Sequence, residues 1–109
     1  MVTTQLERQF IHLLGAKYAI SFSYGRVALY AILKALDVAG KEVIIPAFCC
    51  TVVRDAIAWA GGKPVFVRIN PKTFALDINN LTQSISSKTA AIIVIHWGKY
   101  VPILRKCWC

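Results

Sequence analysis

The chain has 109 residues, enough for one domain with a hydrophobic core but too few for two. Hydrophobic residues make up 57% of it, above the roughly 45–50% usual for soluble domains, but no uncharged apolar run approaches the ~20 residues of a membrane-spanning helix. No signal peptide is recognisable, because Glu7 and Arg8 interrupt the first apolar stretch. We therefore expect a cytoplasmic protein with no membrane partner.

The formal net charge is +8, from 13 Lys and Arg residues against five Asp and Glu. Such a balance suggests a nucleic-acid partner. The basic residues are scattered singly apart from Arg105-Lys106, however, and no basic stripe interleaves with aromatic residues. We expect no nucleic-acid partner, and a small basic nucleic-acid-binding protein is kept only as the less favoured alternative.

The first predicted helix begins at a capping box, in which Thr4 is followed three residues later by Glu7. Gly15 can end this helix, and a β-prone run, 18–22, follows it. Four apolar residues fall on one face of the helix: Leu6, Phe10, Leu13 and Leu14.

The middle of the chain predicts helix, strand and helix. The second helix covers 25–36, and the strand 43–45 ends at Pro46. The third helix covers 51–60 and stops at Gly61-Gly62. The stripe of the second helix that we expect to be buried consists of Leu29, Ile32, Leu33 and Leu36.

The last predicted elements are a strand over 64–69, a turn over 70–73, a short helix over 77–86 and a strand over 90–95. Leu81 and Ile85 lie on one face of the short helix. Strands that alternate with helices indicate an α/β fold with a mostly parallel sheet. The strands are apolar without alternation, as expected when helices cover both faces of the sheet.

The stretch SFSYGRVALYAILKAL turns from an apolar run into an apolar helix at one glycine, Gly25. A helix that begins abruptly presents unbonded N–H groups and the positive end of its dipole, which together favour an anion such as phosphate. Glycine permits unusual dihedral angles and a close approach of a ligand. Arg26 adds a cation with a fork of donors. The alternative from spacing alone is a plain glycine corner with a solvated arginine.

Three blocks of sequence resemble the N-terminal part of the large domain of DegT/DnrJ/StrS-type aminotransferases, which use pyridoxal phosphate. The blocks are LERQFIHLLGAKYAISFSYGRVALYAILKAL, KEVIIPAFCCTVVRDAIAWAGGKPVFVRINPKTFALD and KTAAIIVIH. The resemblance implies an incomplete three-layer α/β sandwich over residues 1–96. It also implies, for a complete homologue, a homodimer that moves an amino group from a donor such as glutamate to a nucleotide-linked keto-sugar, in polysaccharide or antibiotic-sugar biosynthesis.

By this resemblance Gly25 and Arg26 contact the cofactor phosphate, with Arg26 at a position that is commonly threonine in the family. Cys50 occupies a position where the family often carries an aromatic residue that stacks on the cofactor ring. The alternative for Cys50 is a small buried hydrophobic residue. We expect Phe48, two residues earlier, to belong to the core.

No catalytic residue is predicted in this chain. The family's Schiff-base lysine and the carboxylate at the pyridinium nitrogen lie downstream of the strand that precedes His96, so transamination by this chain alone is not expected. The resemblance gives no role to His96, Asp55 or Arg68.

The cysteines occur as Cys49-Cys50 and as a C-x-C pair at the end of the chain. This spacing fits no zinc site, and we expect reduced, structural thiols and no metal.

The last thirteen residues, WGKYVPILRKCWC, differ in composition from the rest of the chain. They hold two of the three tryptophans, the cysteines Cys107 and Cys109, three basic residues and no acid. We interpret 97–109 as an atypical tail of a truncated or frameshifted product. Such a product would leave sheet edges and faces uncovered, which predicts poor solubility or self-association. A non-catalytic module that binds a phosphorylated ligand or pairs with another subunit is the main alternative function.

Overall fold

The computed structural model describes residues 2–97. It contains four helices, α1 (Val2–Leu14), α2 (Gly25–Ala35), α3 (Thr51–Trp59) and α4 (Ile78–Ser84), and three strands, β1 (Glu42–Pro46), β2 (Lys63–Val67) and β3 (Thr89–Ile92). None of the helices in this part of the chain has the length and hydropathy needed to cross a membrane. The predicted tail, including Cys107, Cys109 and Arg105-Lys106, lies outside the described residues from position 98 onward.

The three strands form one parallel sheet with β1 in the centre and the order β2-β1-β3. Glu42 pairs with Lys63 on one side and with Thr89 on the other, and the register with β3 shifts by one residue directly after Glu42. The parallel order confirms the prediction, because α3 connects β1 to β2 and α4 connects β2 to β3, and each helix returns the chain to the edge at which the strands begin.

Both faces of β1 are buried, since its side chains alternate between two hydrophobic clusters. On one face Val43 and Ile45 pack with α2 and α3, through residues that include Leu33 and Ile57. On the other face Ile44 packs with Val67 of β2, Leu81 of α4 and Leu76, which lies between them. The α2/α3 layer, the sheet and α4 form the predicted incomplete three-layer sandwich, and the continuous apolar run of β1 reflects burial on both sides.

The first helix differs from its prediction in two ways, in where it begins and in whether its apolar face is buried. It begins before Thr4, so Thr4 and Glu7 lie inside α1 and form no capping box. The Glu7 carboxylate instead accepts hydrogen bonds from Ser21. The predicted apolar face is open to solvent, with Leu6, Phe10, Leu13 and Leu14 all exposed.

The β-prone run 18–22 is not a strand in the described residues. It pairs with none of the three strands, and Tyr18, Ile20 and Phe22 are exposed. Strand propensity reflects how a residue fits a paired, half-buried surface. In the described residues this segment has no neighbouring strand edge that would supply such a surface, so its apolar composition does not lead to a strand.

The faces of α2 and α4 that were predicted to be buried are confirmed only in part. Leu33 and Leu81 are buried as expected, but Ile32, Leu36 and Ile85 are 56%, 53% and 49% exposed. α2 contacts the rest of the molecule along a narrower stripe than its apolar residues span, because α3 and the sheet cover only one side of it. The strand ends also differ by up to three residues, with β2 ending at Val67 and β3 at Ile92.

The predicted turn over 70–73 and the start of α4 are confirmed. Asp77 is the N-cap of α4 and its carboxylate accepts hydrogen bonds from the N–H groups of Asn80, at 3.3 Å, and Asn79, at 2.9 Å. These bonds, led by the one from Asn80, lower the pKa of the Asp77 carboxyl.

Candidate functional site

The N-terminus of α2 has backbone donors without partners in the described part of the chain. Tyr24 is its N-cap, with an extended backbone (φ −140°, ψ 140°), and its side chain makes no capping hydrogen bond. The Tyr24 carbonyl accepts from Val27 N–H at 3.0 Å and from Ala28 N–H at 3.2 Å. The N–H groups of Gly25 and Arg26 meet no hydrogen-bond acceptor among residues 2–97. They are the first-turn donors that an anion can use.

Gly25 leaves open space beside these donors. Apart from Tyr24, Arg26 and the backbone of α2 itself, no atom of the described residues lies within 4 Å of a Cβ placed on it. Its backbone is helical and does not adopt the positive φ found at Gly15, Gly40 and Gly61. The expectation of unusual dihedral angles at Gly25 is therefore wrong. The other expected use of glycine, the close approach of a ligand to the backbone, is compatible with this open space.

Arg26 lies on the first turn of α2 with its guanidinium directed to the ring of Tyr24. The guanidinium carbon is 5.0 Å from the ring centroid. Among the described residues no carboxylate lies within ion-pair distance of Arg26, whereas Arg54 pairs with Asp55 at 2.7 Å and Lys41 with Asp37 at 3.9 Å. Its charge is thus not neutralised by another described side chain.

Cys50 is the N-cap of α3, and its side chain is exposed and makes no capping hydrogen bond. This exposure is incompatible with the alternative of a small buried hydrophobic residue. Cys49 is the half-buried member of the pair and packs against the α2/α3 cluster. Burial raises the pKa of the Cys49 thiol, Cys50 adds to the rise and Arg54 opposes it. Cys50 is the more accessible of the two thiols.

The N-termini of α2 and α3 lie at the same edge of the sheet. Gly40, which follows α2, donates its N–H to the carbonyl of Gly61, which follows α3, at 2.9 Å, so the two helices end side by side. α3 begins where β1 ends, at the carboxyl edge of the strands. The helices pack together and have lengths of about 16 and 14 Å from a rise of about 1.5 Å per residue. The fold therefore carries Gly25 and Cys50 to the carboxyl edge, where open α/β sheets bind ligands.

Three aromatic rings form a cluster at this edge that the sequence did not indicate. The ring of Phe48 lies 5.6 Å from that of Phe74 and 5.5 Å from that of Trp97, measured between centroids. Phe48 is 51% exposed, so the expectation that it belongs to the core is wrong. Its position in the loop after β1 places it beyond the layer that α2 and α3 cover. Trp97 comes from the segment assigned to the tail.

The remaining residues singled out in the sequence are separate from this site or show no geometry that assigns them to it. His96 is exposed and lies past the end of β3. Asp55 is paired with its neighbour Arg54. Arg68 is exposed, and its carbonyl accepts from Asp77 N–H at 3.0 Å. Within residues 2–97 no three His, Cys, Asp or Glu side chains are grouped so that they could hold a metal ion.

Comparisons with known proteins match most of this chain to one protein family. The model of the DegT/DnrJ/EryC1/StrS aminotransferase family matches residues 2–103. A UDP-2-acetamido-2-deoxy-3-oxo-D-glucuronate aminotransferase of Pseudomonas aeruginosa is 41% identical over 93 residues, which cover 84% of this chain and 26% of the relative. The chain thus spans about a quarter of the length of the curated relatives it matches.

Solved structures agree with this comparison. NtdA of Bacillus subtilis, with bound cofactor PMP, superposes with a TM-score of 0.87 at 33% identity and covers 94% of this chain and 24% of its own. A 3-amino-5-hydroxybenzoic acid synthase superposes with a TM-score of 0.89 at 27% identity, over 95% of this chain and 27% of its own.

Proposed function

Because this chain belongs to the DegT/DnrJ/EryC1/StrS aminotransferase family, we propose that it forms the N-terminal part of the large domain of a pyridoxal-phosphate-dependent sugar aminotransferase and supplies the cradle for the cofactor phosphate. The observation that carries the proposal is the start of α2. There the N–H groups of Gly25 and Arg26 lack described partners, and Arg26 has no described carboxylate partner. Apart from Tyr24, Arg26 and the α2 backbone, no described atom lies within 4 Å of a Cβ placed on Gly25.

These residues fit a phosphate group in three ways. The two N–H groups can donate to phosphate oxygens, and the α2 dipole favours the negative charge. The absence of a Cβ at Gly25 lets the oxygens approach the backbone. The Arg26 guanidinium can give charge-assisted hydrogen bonds in place of the threonine hydroxyl common in the family.

Cys50 is proposed to face the cofactor ring from the start of α3. Its polarizable sulfur can lie against a pyridine ring, although with less contact area than the aromatic residue common in the family. When bound, pyridoxal phosphate supplies the electron sink that makes amino-group exchange possible. The residues of this chain hold the phosphate and flank the ring, and we assign none of them a proton-transfer step.

For the whole protein we propose amino transfer from a donor such as glutamate to a nucleotide-linked keto-sugar. The support is the family and the name of the P. aeruginosa relative, which acts on a UDP-linked oxo-sugar. We further propose a cytoplasmic homodimer that acts in the synthesis of a polysaccharide or antibiotic sugar. This chain alone is expected to show no transaminase activity, since the family's lysine and pyridinium-pairing carboxylate align with none of its residues.

The phosphate cradle can be tested by equilibrium titration with pyridoxamine 5′-phosphate, which has no aldehyde and cannot react with surface lysines. We expect binding of this compound to exceed binding of pyridoxamine, which lacks the phosphate. Arg26→Ala should weaken the binding of pyridoxamine 5′-phosphate by about tenfold or more, because charge-assisted hydrogen bonds are lost. Lys88→Ala removes an exposed cation that directly precedes β3, at the opposite end of the strands from the site, and should leave the affinity unchanged. Equal affinity for both compounds would contradict the cradle.

The position of Cys50 can be tested by alkylation with iodoacetamide and mass-spectrometric mapping. Bound pyridoxamine 5′-phosphate should slow alkylation of Cys50, whereas the same concentration of pyridoxamine, which lacks the phosphate, should slow it far less. Equal rates at Cys50 with and without the compound would exclude it from the ring contact.

The main alternative is a non-catalytic module that binds a phosphorylated ligand or pairs with another subunit. The uncapped start of α2 and the exposed apolar face of α1 favour it as the second candidate. Saturation by inorganic phosphate with no preference for pyridoxamine 5′-phosphate would support the module over the aminotransferase cradle.

A further inference from the structure

We propose that Tyr24 is a positioning residue, whose ring holds the guanidinium of Arg26 at the start of α2 in the place where a cofactor phosphate would bind. This role rests on the proposed function, because it gives the Tyr24–Arg26 pair a phosphate to act on. It adds a residue for which the family resemblance supplies no role.

The geometry of the pair carries the proposal. Tyr24 directly precedes the helix, its backbone is extended, and its side chain is 61% exposed. A cation within about 6 Å of an aromatic centroid is attracted by the ring quadrupole, and the Arg26 guanidinium carbon lies at 5.0 Å. Neither the Tyr24 hydroxyl nor the Arg26 guanidinium has a hydrogen-bond partner among residues 2–97, which leaves the ring as the polar contact of the arginine in this part of the chain.

This restraint has a consequence for anion binding. An unrestrained arginine on a first turn samples many rotamers, and a phosphate must immobilise it before gaining its hydrogen bonds. A guanidinium already held over Tyr24 has lost part of that freedom. Its five N–H groups point outward in its own plane, so a guanidinium held over the ring keeps donors that can reach phosphate oxygens.

The contact requires the aromatic ring and not the hydroxyl. Tyr24→Phe should therefore preserve the positioning, whereas Tyr24→Leu should remove it while leaving an apolar side chain at the same exposed site. A matched control exists in the chain, because Lys17 Nζ lies 5.5 Å from the centroid of Tyr18, a similarly exposed tyrosine outside α2. Tyr18→Leu removes a cation–ring pair that has no part in the cradle.

The test is a titration of the full chain and its variants with pyridoxamine 5′-phosphate, followed by ³¹P NMR of the bound compound. Tyr24→Leu should weaken binding about two- to fivefold, the size of an exposed cation–π contact, and should shift the ³¹P signal. Tyr24→Phe should restore both readouts, and Tyr18→Leu should change neither. In an Arg26→Ala background, Tyr24→Leu should have no further effect, since the group that it positions is gone.

The possible failures are distinguishable. In one outcome, Tyr24→Leu binds pyridoxamine 5′-phosphate as tightly as the unmodified chain does, while Arg26→Ala binds it more weakly. In that case the positioning role is overturned and the phosphate cradle stands. If Tyr24→Leu weakens binding equally with and without Arg26, Tyr24 acts directly on the compound and the positioning role is also overturned. If the unmodified chain does not distinguish pyridoxamine 5′-phosphate from pyridoxamine, the cradle fails and the role of Tyr24 fails with it.

Discussion

The Glu7 carboxylate accepts two hydrogen bonds from Ser21, one from its N–H and one from its hydroxyl, each 2.8 Å long. They link α1 to the segment 18–22, which pairs with no strand in the described residues. Both bonds favour the charged carboxylate and lower the pKa of Glu7, with the backbone bond contributing most. The pair is exposed, so it acts as a local link and not as a core interaction.

The Glu7–Ser21 link should depend on pH in a defined direction. Because the folded-state pKa of Glu7 is lowered, the link contributes fully above the unfolded pKa of the carboxyl and is lost as pH falls through the lowered value. We expect the Ser21 amide to show a downfield NMR shift at neutral pH that disappears in acid.

Glu7→Gln keeps an oxygen acceptor but removes the titration, so the acid transition of the Ser21 amide should vanish in this variant. Ser23→Ala, at an exposed neighbour in the same segment, should leave it unchanged. A Ser21 amide whose shift does not respond to pH in the unmodified chain would show that the link does not form in solution.

Gly62 lies where an added methyl group has no room. A Cβ on it would lie 3.0 Å from a methyl carbon of Ile57 and 3.1 Å from one of Val38. We expect Gly62→Ala to destabilise the fold by about 1–3 kcal/mol through overpacking, as measured by urea unfolding. Gly25→Ala, where the added group meets no described atom within 4 Å beyond its chain neighbours and its own helix, should change stability far less. Equal effects of the two substitutions would contradict the packing at Gly62.

Leu33 and Ile32 are neighbours on α2 with opposite environments, 1% and 56% exposed. Leu33→Ala should cost about 2–5 kcal/mol, since it removes buried hydrocarbon and leaves a cavity. Ile32→Ala should cost well under 1 kcal/mol, because surface positions away from special features tolerate substitution. Thermal or urea unfolding of both variants measures the difference. A larger loss for Ile32→Ala would mean that another face of α2 is buried in solution.

Exposed apolar side chains on α1 and the segment after it predict self-association. Leu13, Tyr18 and Ile20 are each at least 75% exposed, and both outer edges of the sheet, on β2 and β3, are unpaired in the described chain. We expect sedimentation velocity to show species larger than a monomer as protein concentration rises.

The double variant Leu13→Lys, Ile20→Lys should reduce this self-association, because charge on the exposed face opposes its burial. Lys88→Ala, a change at another exposed position, serves as the control. A monomer at every concentration would contradict the prediction.

The local elements follow largely from the sequence. Gly25, the apolar run of β1 and the Gly61-Gly62 pair located the start of α2, the central strand and the end of α3 to within about one residue. Each of these signals acts over a few neighbouring residues through backbone freedom or hydrophobic pattern. The resemblance to the family added the three-layer arrangement, which the burial of β1 on both faces confirms.

Contacts between distant segments were decided by the tertiary structure. Apolar composition could not show that 18–22 has no strand beside it, that α2 buries Leu33 but not Leu36, or that Phe48 meets Phe74 and Trp97 at the sheet edge. The physical reason is common to all three cases: hydrophobicity favours burial but specifies no partner, and the partner is determined only when the chain brings two surfaces together.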